Sequence, residues 1–316
     1  MKRNDCSERP NYSAAVPQPS QTKPSPPSPA LPNLTIQQLE YLVAVSRSRT
    51  WADAAAELGV SPSALSQGLA ELERRVGVPV FERQGRRRVI SPAAHEVLAH
   101  AEAVVSRTRD LARWAAGVRS GALGQVRVGM TDVAALHHCA DALRRFRRDH
   151  AAVDLRLTVA PSGPLLDDLV RAALDLVVCV APPRAVEGVV ATDLLTEPLR
   201  AYAPPGADPA APPATWGPWV TFPEGSHTRH IVATGLAALG APFDVVAQSH
   251  QPEVLREMVG LGLGWTVLPV AQAEAGADPL IPVRTRPVAE RRLVLARRHD
   301  AHSGPATDDL FAALSA

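Results

Sequence analysis

The sequence predicts an α/β protein with an N-terminal all-α part that carries a wing. Three observations lead there. Residues 34–91 read as short capped helices followed by two apolar strands. Residues 92–116 carry apolar or small side chains at alternating three and four spacing. From 118 to the C-terminus, short β-rich runs alternate with helical ones.

Composition narrows the class. With 316 residues, 46% hydrophobic and 21% charged, the chain is long enough for two or three domains and is neither fibrous nor wholly disordered. A net charge of +1, from 33 basic and 32 acidic residues, means that any basic surface is local. The only lysines are Lys2 and Lys23, so the folded part presents forked arginine donors alone. Cys6, Cys139 and Cys179 have no CxxC spacing, so neither a zinc site nor a disulfide framework is expected, and a cytoplasmic setting is the default. Apolar runs break well before the roughly 18 residues of a spanning helix, so no membrane insertion is expected.

Residues 1–33 hold eight prolines and five serines with one large aliphatic residue, Leu31, and read as a disordered tail. Thr35 is an N-cap for a first helix with the stripe Ile36, Leu39, Leu42, Val43 and Val45. A second helix starts after Thr50, passes Ala54, Ala55 and Leu58, and stops at Gly59. A third begins at Ser61-Pro62 and runs through Leu65, Leu69 and Leu72 to Gly77. Only Gly59 and Val60 separate the two, with small Ala55 where the helices cross: helix-turn-helix spacing. Val78–Phe81 and Val89–Ile90, joined by the loop Arg83 to Arg88, make a wing. A further helix runs from Ser91-Pro92 to about 116, its seam of Ala94, Val97/Leu98, Ala101, Val104/Val105, Thr108, Leu111/Ala112 and Ala115 suited to self-association.

Beyond 118, strands are expected near 126–128, 155–159, 176–180, 219–222, 245–248, 265–268 and 293–297. Helices are expected near 134–149, 164–173, 226–239, 251–261 and 305–315. The alternation argues for a mostly parallel sheet. About 190 residues exceed one comfortable core, so two lobes are expected, with ligand chemistry between them. Lobe one spans about 124–196 and 279–316, lobe two about 197–278.

A recognition helix turns its N-terminal, outward side chains to base edges, here Pro62, Ser63, Ser66 and Gln67. Gln67 offers a bidentate amide to adenine, and Pro62 only apolar contact. Arg86, Arg87 and Arg88 on the wing suit phosphates or the minor groove. Residues 34–91 hold eight arginines against six acids, four of the eight between Arg83 and Arg88, so the positive charge is concentrated at the wing.

These residues also carry a resemblance. Gln37-Gln38-Leu39-Glu40-Tyr41-Leu42, Thr50-Trp51-Ala52-Asp53-Ala54-Ala55, Val60-Ser61-Pro62-Ser63-Ala64-Leu65-Ser66 and Gly77-Val78-Pro79-Val80-Phe81-Glu82-Arg83 resemble the LysR-type transcriptional regulators. Val126-Arg127-Val128-Gly129, Ala173-Leu174-Asp175-Leu176 and Gly260-Leu261-Gly262-Leu263-Gly264 continue the likeness downstream. The resemblance implies a winged helix-turn-helix DNA-binding domain (34–91), a dimerisation helix (92–117) and a two-lobed, periplasmic-binding-protein-like effector domain (118–316). It implies no catalysis, cofactor or metal. Its partners would be double-stranded promoter DNA, a small-molecule effector, further copies of the chain as a dimer of dimers, and RNA polymerase.

By the same resemblance the effector would meet Thr131 and Asp132, Ser162, and Phe222, Pro223 and Glu224, with the Gly262 turn behind. Helix N-termini there offer free N–H groups, although Thr131 and Ser162 could equally be caps. Asp132 and Glu224 together favour a cationic or amine-bearing effector. Gly68 departs from the family's pattern of longer side chains; it costs about 1 kcal/mol of helix propensity and removes phosphate contacts, so weaker DNA affinity is expected. Cys139 and Cys179 read as core thiols. Two alternatives stay open: a ligand-independent regulator with a vestigial cleft, and a cytoplasmic solute-binding or enzymatic α/β protein.

Overall fold

The computed structural model describes residues 33–84, 87–120, 124–276, 278–299, 301 and 304–316; the Pro/Ser-rich tail up to residue 32 and Arg86 of the wing lie outside them. Helix α1 (Ile36–Arg47) begins at a reciprocal cap, with the Gln38 N–H donating to Thr35 Oγ1 at 3.2 Å and the Thr35 N–H to Gln38 Oε1 at 3.0 Å. Helix α2 (Trp51–Glu57) is capped by Thr50, whose hydroxyl accepts from the Asp53 N–H. Gly59, at φ +66°, takes the left-handed turn. Helix α3 (Pro62–Val76) starts at Ser61 with proline in its first turn. Leu42, Leu65, Leu69 and Leu72 meet in the centre of this bundle with no more than 1% exposure, each stabilising it by about 1.5–3 kcal/mol.

The wing is an antiparallel pair, β1 (Phe81–Gln84) and β2 (Arg87–Ile90), with Phe81 opposite Ile90. The strands reach further into the basic stretch than the apolar residues alone suggested, because the ladder needs only backbone groups. Glu73 fixes its entry, accepting from the N–H groups of Val80 and Phe81 at 2.8 and 3.1 Å.

After one turn of 3₁₀ helix at Pro92–Ala94 comes α4 (His95–Ser120). The expected seam on α4 is divided. Ala94, Ala101 and Val105 are buried in the core of their own chain's N-terminal bundle, whereas Val104, Leu111 and Trp114 are exposed at 42%, 62% and 67%. A third face, holding Asp110, turns to the body of the molecule, where its carboxylate accepts from Arg298.

The body continues through β3 (Gln125–Met130), α5 (Ala140–Asp149), β4 (Asp154–Val159), α6 (Ser162–Val170), β5 (Leu176–Val180), β6 (Val189–Tyr202), β7 (Trp219–Thr221) and α7 (His227–Ala238). It ends with β8 (Val245–Gln248), α8 (Pro252–Gly260), β9 (Thr266–Pro269), α9 (Val270–Ala273), β10 (Ala289–Arg298) and α10 (Pro305–Ser315). Six strands form one sheet in the order β4-β3-β5-β10-β6-β9, and β7 and β8 pair separately. Here the structure corrects the mostly parallel reading. Among the described strands the β3 pairings and β7–β8 are parallel, while β5–β10, β10–β6 and β6–β9 are antiparallel. The reason is topological: the chain enters the second lobe along β6 and returns along β10, so these two long strands must run in opposite directions.

Each lobe has apolar clusters on both faces of its sheet. In lobe one, Val126, Val128 and Leu176 pack with Leu310 of α10 on one face, and Val177 and Cys179 with Leu165 and Leu169 of α6 on the other. In lobe two, Leu199, Trp219 and Val267 pack with Val232 and Leu236 of α7, and Val220 and Leu268 with Leu255 and Val259 of α8. No helix among the described residues is long and apolar enough to cross a membrane.

Candidate nucleic-acid interface and effector cleft

At the N-terminus of α3 the Ser61 hydroxyl accepts from the Ala64 N–H at 3.2 Å and lies 2.9 Å from Ser63 Oγ. Pro62, Ser63 and Gln67 are exposed and Ser66 half-buried, on the side away from the buried Leu65 and Leu69. The first two turns thus offer hydroxyl and amide groups to solvent from a capped helix. Toward the other end of α3, Glu71 forms ion pairs with both Arg74 and Arg75, which holds its carboxyl below the usual range through those hydrogen bonds. Arg87 lies on β2 opposite Gln84 and Arg88 opposite Arg83. Trp51 at the start of α2 meets Phe81 of β1 edge-to-face at 4.9 Å, tying the hairpin to the helix-turn-helix.

Gly68 has a packing reason that the sequence did not reveal. A Cβ there would stand 2.7 Å from two ring carbons of Tyr41 on α1. The missing side chain therefore lets Tyr41 lie against α3, and the position faces α1 rather than a ligand, which removes the ground for expecting lost phosphate contacts there.

Where β6 and β10 cross between the lobes, Arg291 sits directly opposite Glu197 in the ladder. Arg291 Nε donates to Glu197 Oε2 at 2.7 Å and Nη1 to Thr228 Oγ1 at 2.9 Å, while His138 Nε2 lies 2.6 Å from Glu197 Oε1. Burial works against the ionised Glu197, but the His138 hydrogen bond and the Arg291 charge outweigh it and hold the carboxyl below its ordinary value. Arg291 Nη2 is buried without a partner among the described residues.

Beside this network the Thr131 N–H donates to the Val178 carbonyl at 3.0 Å, and its buried hydroxyl has no partner among the described residues. Asp132 accepts from the Val133 N–H at 2.8 Å. Burial raises its pKa, a shift that the Val133 hydrogen bond opposes and the Glu253 charge reinforces; Arg291 and the Gln272 amide oppose it further. His227 Nδ1 approaches the Val180 carbonyl at 3.2 Å from the second lobe.

The other expected effector residues are placed differently from one another. Ser162 is buried, its hydroxyl accepting from the Val180 N–H at 3.2 Å. Phe222 is buried, and its carbonyl accepts from Arg229 Nη1 at 3.0 Å. Pro223 is half-buried at the turn into α7. Glu224 is 89% exposed and lies 3.8 Å from Arg229, and Gly262 is exposed at φ +79° after α8. Among the described residues no hydrogen bond joins Glu224 or Gly262 to Thr131, Asp132 or Ser162. The expected Asp132 and Glu224 pair is therefore corrected: the carboxylate that acts on Asp132 is Glu253, because Glu224 turns outward to Arg229.

The description "LysR substrate binding domain" matches residues 119–316, and "Bacterial regulatory helix-turn-helix protein, lysR family" matches residues 36–95. The chain belongs to the LysR family. Among curated LysR relatives, the RuBisCO operon transcriptional regulator of Allochromatium vinosum is 28% identical over 75% of this chain and 80% of its own. An uncharacterised regulator, YfeR of Shigella flexneri, is 24% identical over 88% and 92%. Full-length CbnR in complex with its target DNA superposes with a TM-score of 0.54 at 17% identity, over 90% of this chain and 100% of that one. Full-length OxyR from Pseudomonas aeruginosa gives 0.53 at 21%, over 89% and 94%. The chain is thus a DNA-binding transcriptional regulator with an effector-binding domain, not an enzyme.

Within this LysR chain, His138, Glu197, Thr228, Glu253, Gln272 and Arg291 were missed by sequence reasoning. One signal was present for two of them: a glutamate and an arginine at otherwise apolar strand positions, Glu197 beside Leu195 and Leu199, and Arg291 beside Leu293.

Proposed function

We propose that the chain reads promoter DNA in the major groove with Pro62, Ser63, Ser66 and Gln67, while Arg86, Arg87 and Arg88 position the wing on the backbone. The observation that carries this reading is the capped N-terminal end of α3, whose first two turns present two serine hydroxyls and the Gln67 amide to solvent beside a basic hairpin. DNase protection of the intergenic region upstream of its own gene, with wild type and Gln67→Ala, tests it.

The effector binds between the lobes against Thr131 and Asp132, with Ser162, Phe222, Pro223, Glu224 and Gly262 at the periphery, and closure of the lobes acts on the DNA-bound oligomer. The unpartnered Thr131 hydroxyl and the neighbouring Asp132 carboxyl support an amine-bearing effector. A thermal-shift panel of amines and carboxylates decides this: stabilisation by carboxylates alone refutes it.

The exposed face of Val104, Leu111 and Trp114 pairs α4 with a second copy, and two such dimers assemble on DNA. RNA polymerase is the further partner and the cytoplasm the site of action. The functional division remains tail 1–33, DNA-binding domain 34–91, linker helix 92–117 and effector domain 118–316.

A further inference from the structure

The outward face of α3 carries no charge until Glu71. Pro62, Ser63, Gln67 and Ala70 are exposed, whereas Leu65, Leu69 and Leu72 are buried and Gly68 faces Tyr41. Ser63, Gln67 and Ala70 follow one another at spacings of four and three, so they lie along one side of the helix. The two arginines of α3 come after this face, and neither is free. Arg74 Nε donates to Glu71 Oε2 at 2.9 Å, and Arg75 pairs with the same carboxylate. Guanine is read in the major groove chiefly by an arginine fork or a lysine on its O6 and N7. Between Pro62 and Ala70 the helix has neither.

Gln67 and Ala70 supply a different chemistry. The exposed Gln67 amide makes no hydrogen bond among the described residues. Its carbonyl and its NH2 are both available, the pair that matches N6 and N7 of adenine. Ala70 presents a single methyl group three residues on. Three residues advance a helix by about 4.5 Å, and successive base pairs stand about 3.4 Å apart, so the two side chains meet neighbouring pairs. A methyl group fits the 5-methyl of thymine. On cytosine the same contact would cover the N4 amino group and leave it unpaired.

We propose that α3 reads a step of two neighbouring A·T pairs, with Gln67 on the adenine of one and Ala70 on the thymine methyl of the next. Ala70 is thereby a specificity-determining residue, and the base readout of this helix is uncharged. The positive charge that holds the duplex comes from the wing. This inference rests on the reading of α3 as the base-reading helix and adds which bases it reads.

The test selects sites for the full-length protein from a randomised duplex library and then alters the selected site one group at a time. Selection is expected to return two adjacent A·T pairs in each half-site. Replacing the adenine by 7-deazaadenine, which removes N7, should weaken binding about fivefold. Replacing the neighbouring thymine by uracil, which removes the methyl, should weaken it about fourfold. Uracil should cost nothing in Ala70→Gly, and Gln67→Arg should change the selected adenine to guanine; if Ala70→Gly does not fold, the uracil titration of the wild type decides that contact. Three results overturn the inference while leaving α3 as the reading helix: 7-deazaadenine tolerated at every adenine of the half-site, uracil tolerated at every thymine, or Gln67→Arg selecting the same bases as the wild type. Unaltered affinity of Gln67→Ala for the selected site overturns the reading of α3 itself, and the inference with it.

Discussion

Arg298, the last residue of β10, makes a two-pronged ion pair with Asp110 of the linker helix, 188 residues away in sequence, with both oxygens at 2.9 Å. At the preceding position of the same helix, Arg109 reaches the Glu40 carboxylate on α1 at 3.1 Å and the Arg171 carbonyl of lobe one at 3.4 Å. The linker helix is thus fastened to the head and to the body by adjacent residues.

The Asp110 contact is nearly buried on the arginine side, so its loss strands a desolvated cation. Asp110→Ala should lower the unfolding free energy by about 3 kcal/mol, measured by chemical denaturation. A change below about 0.5 kcal/mol, the size of an exposed pair, would show that the contact is dispensable.

Gly68→Ala tests the packing of α3 against α1. Helix propensity alone favours alanine by about 1 kcal/mol, but the added Cβ meets the buried Tyr41 ring, and overpacking costs about 1–3 kcal/mol. Net destabilisation is expected in thermal melts, and a more stable variant would mean that Tyr41 moves freely.

The Glu197 and Arg291 pair predicts an acid limb in the stability curve. A carboxyl held below its ordinary value of 4.5 contributes stability that is fully present above that value and is lost as pH falls through the folded value. Glu197→Gln should cost about 3–5 kcal/mol near neutrality, because it leaves Arg291 buried without its counter-charge. The same variant should flatten the loss that sets in as pH falls below the ordinary carboxyl value. An unchanged acid limb would assign it to other carboxyls.

Cys139 and Cys179 should resist alkylation in the native state. Burial pushes their thiols up to about 11 and about 12, which leaves almost no thiolate near pH 7. Rapid labelling of either by iodoacetamide at neutral pH, without unfolding, would contradict this.

Much of the architecture is legible in the sequence because its signals are local. Thr35, Thr50 and Ser61 announce three helix starts, and the apolar runs at 176–180 and 245–248 coincide with β5 and β8. Strand β6 was missed: Asp193, Glu197 and Pro198 interrupt its alternation, and its partner β10 lies about 90 residues downstream in the chain. The antiparallel crossing and the Glu197 and Arg291 pair share that cause, since a contact between distant strands leaves no local pattern. In the DNA-reading helix the outward residues follow from the inward leucines by periodicity. In the cleft, loop direction decides which carboxylate faces Asp132, and nothing in the residues around Glu224 foretells that it turns to Arg229.

Whether this LysR chain reads base edges through the N-terminal turns of α3 is tested most directly by the affinity of wild type and Gln67→Ala for the protected promoter site and for unrelated DNA, at one fixed salt concentration. Gln67→Ala is expected to lose about 1–3 kcal/mol on the specific site and to keep its affinity for unrelated DNA. Equal affinities of the two proteins for the specific site would contradict base reading by this helix.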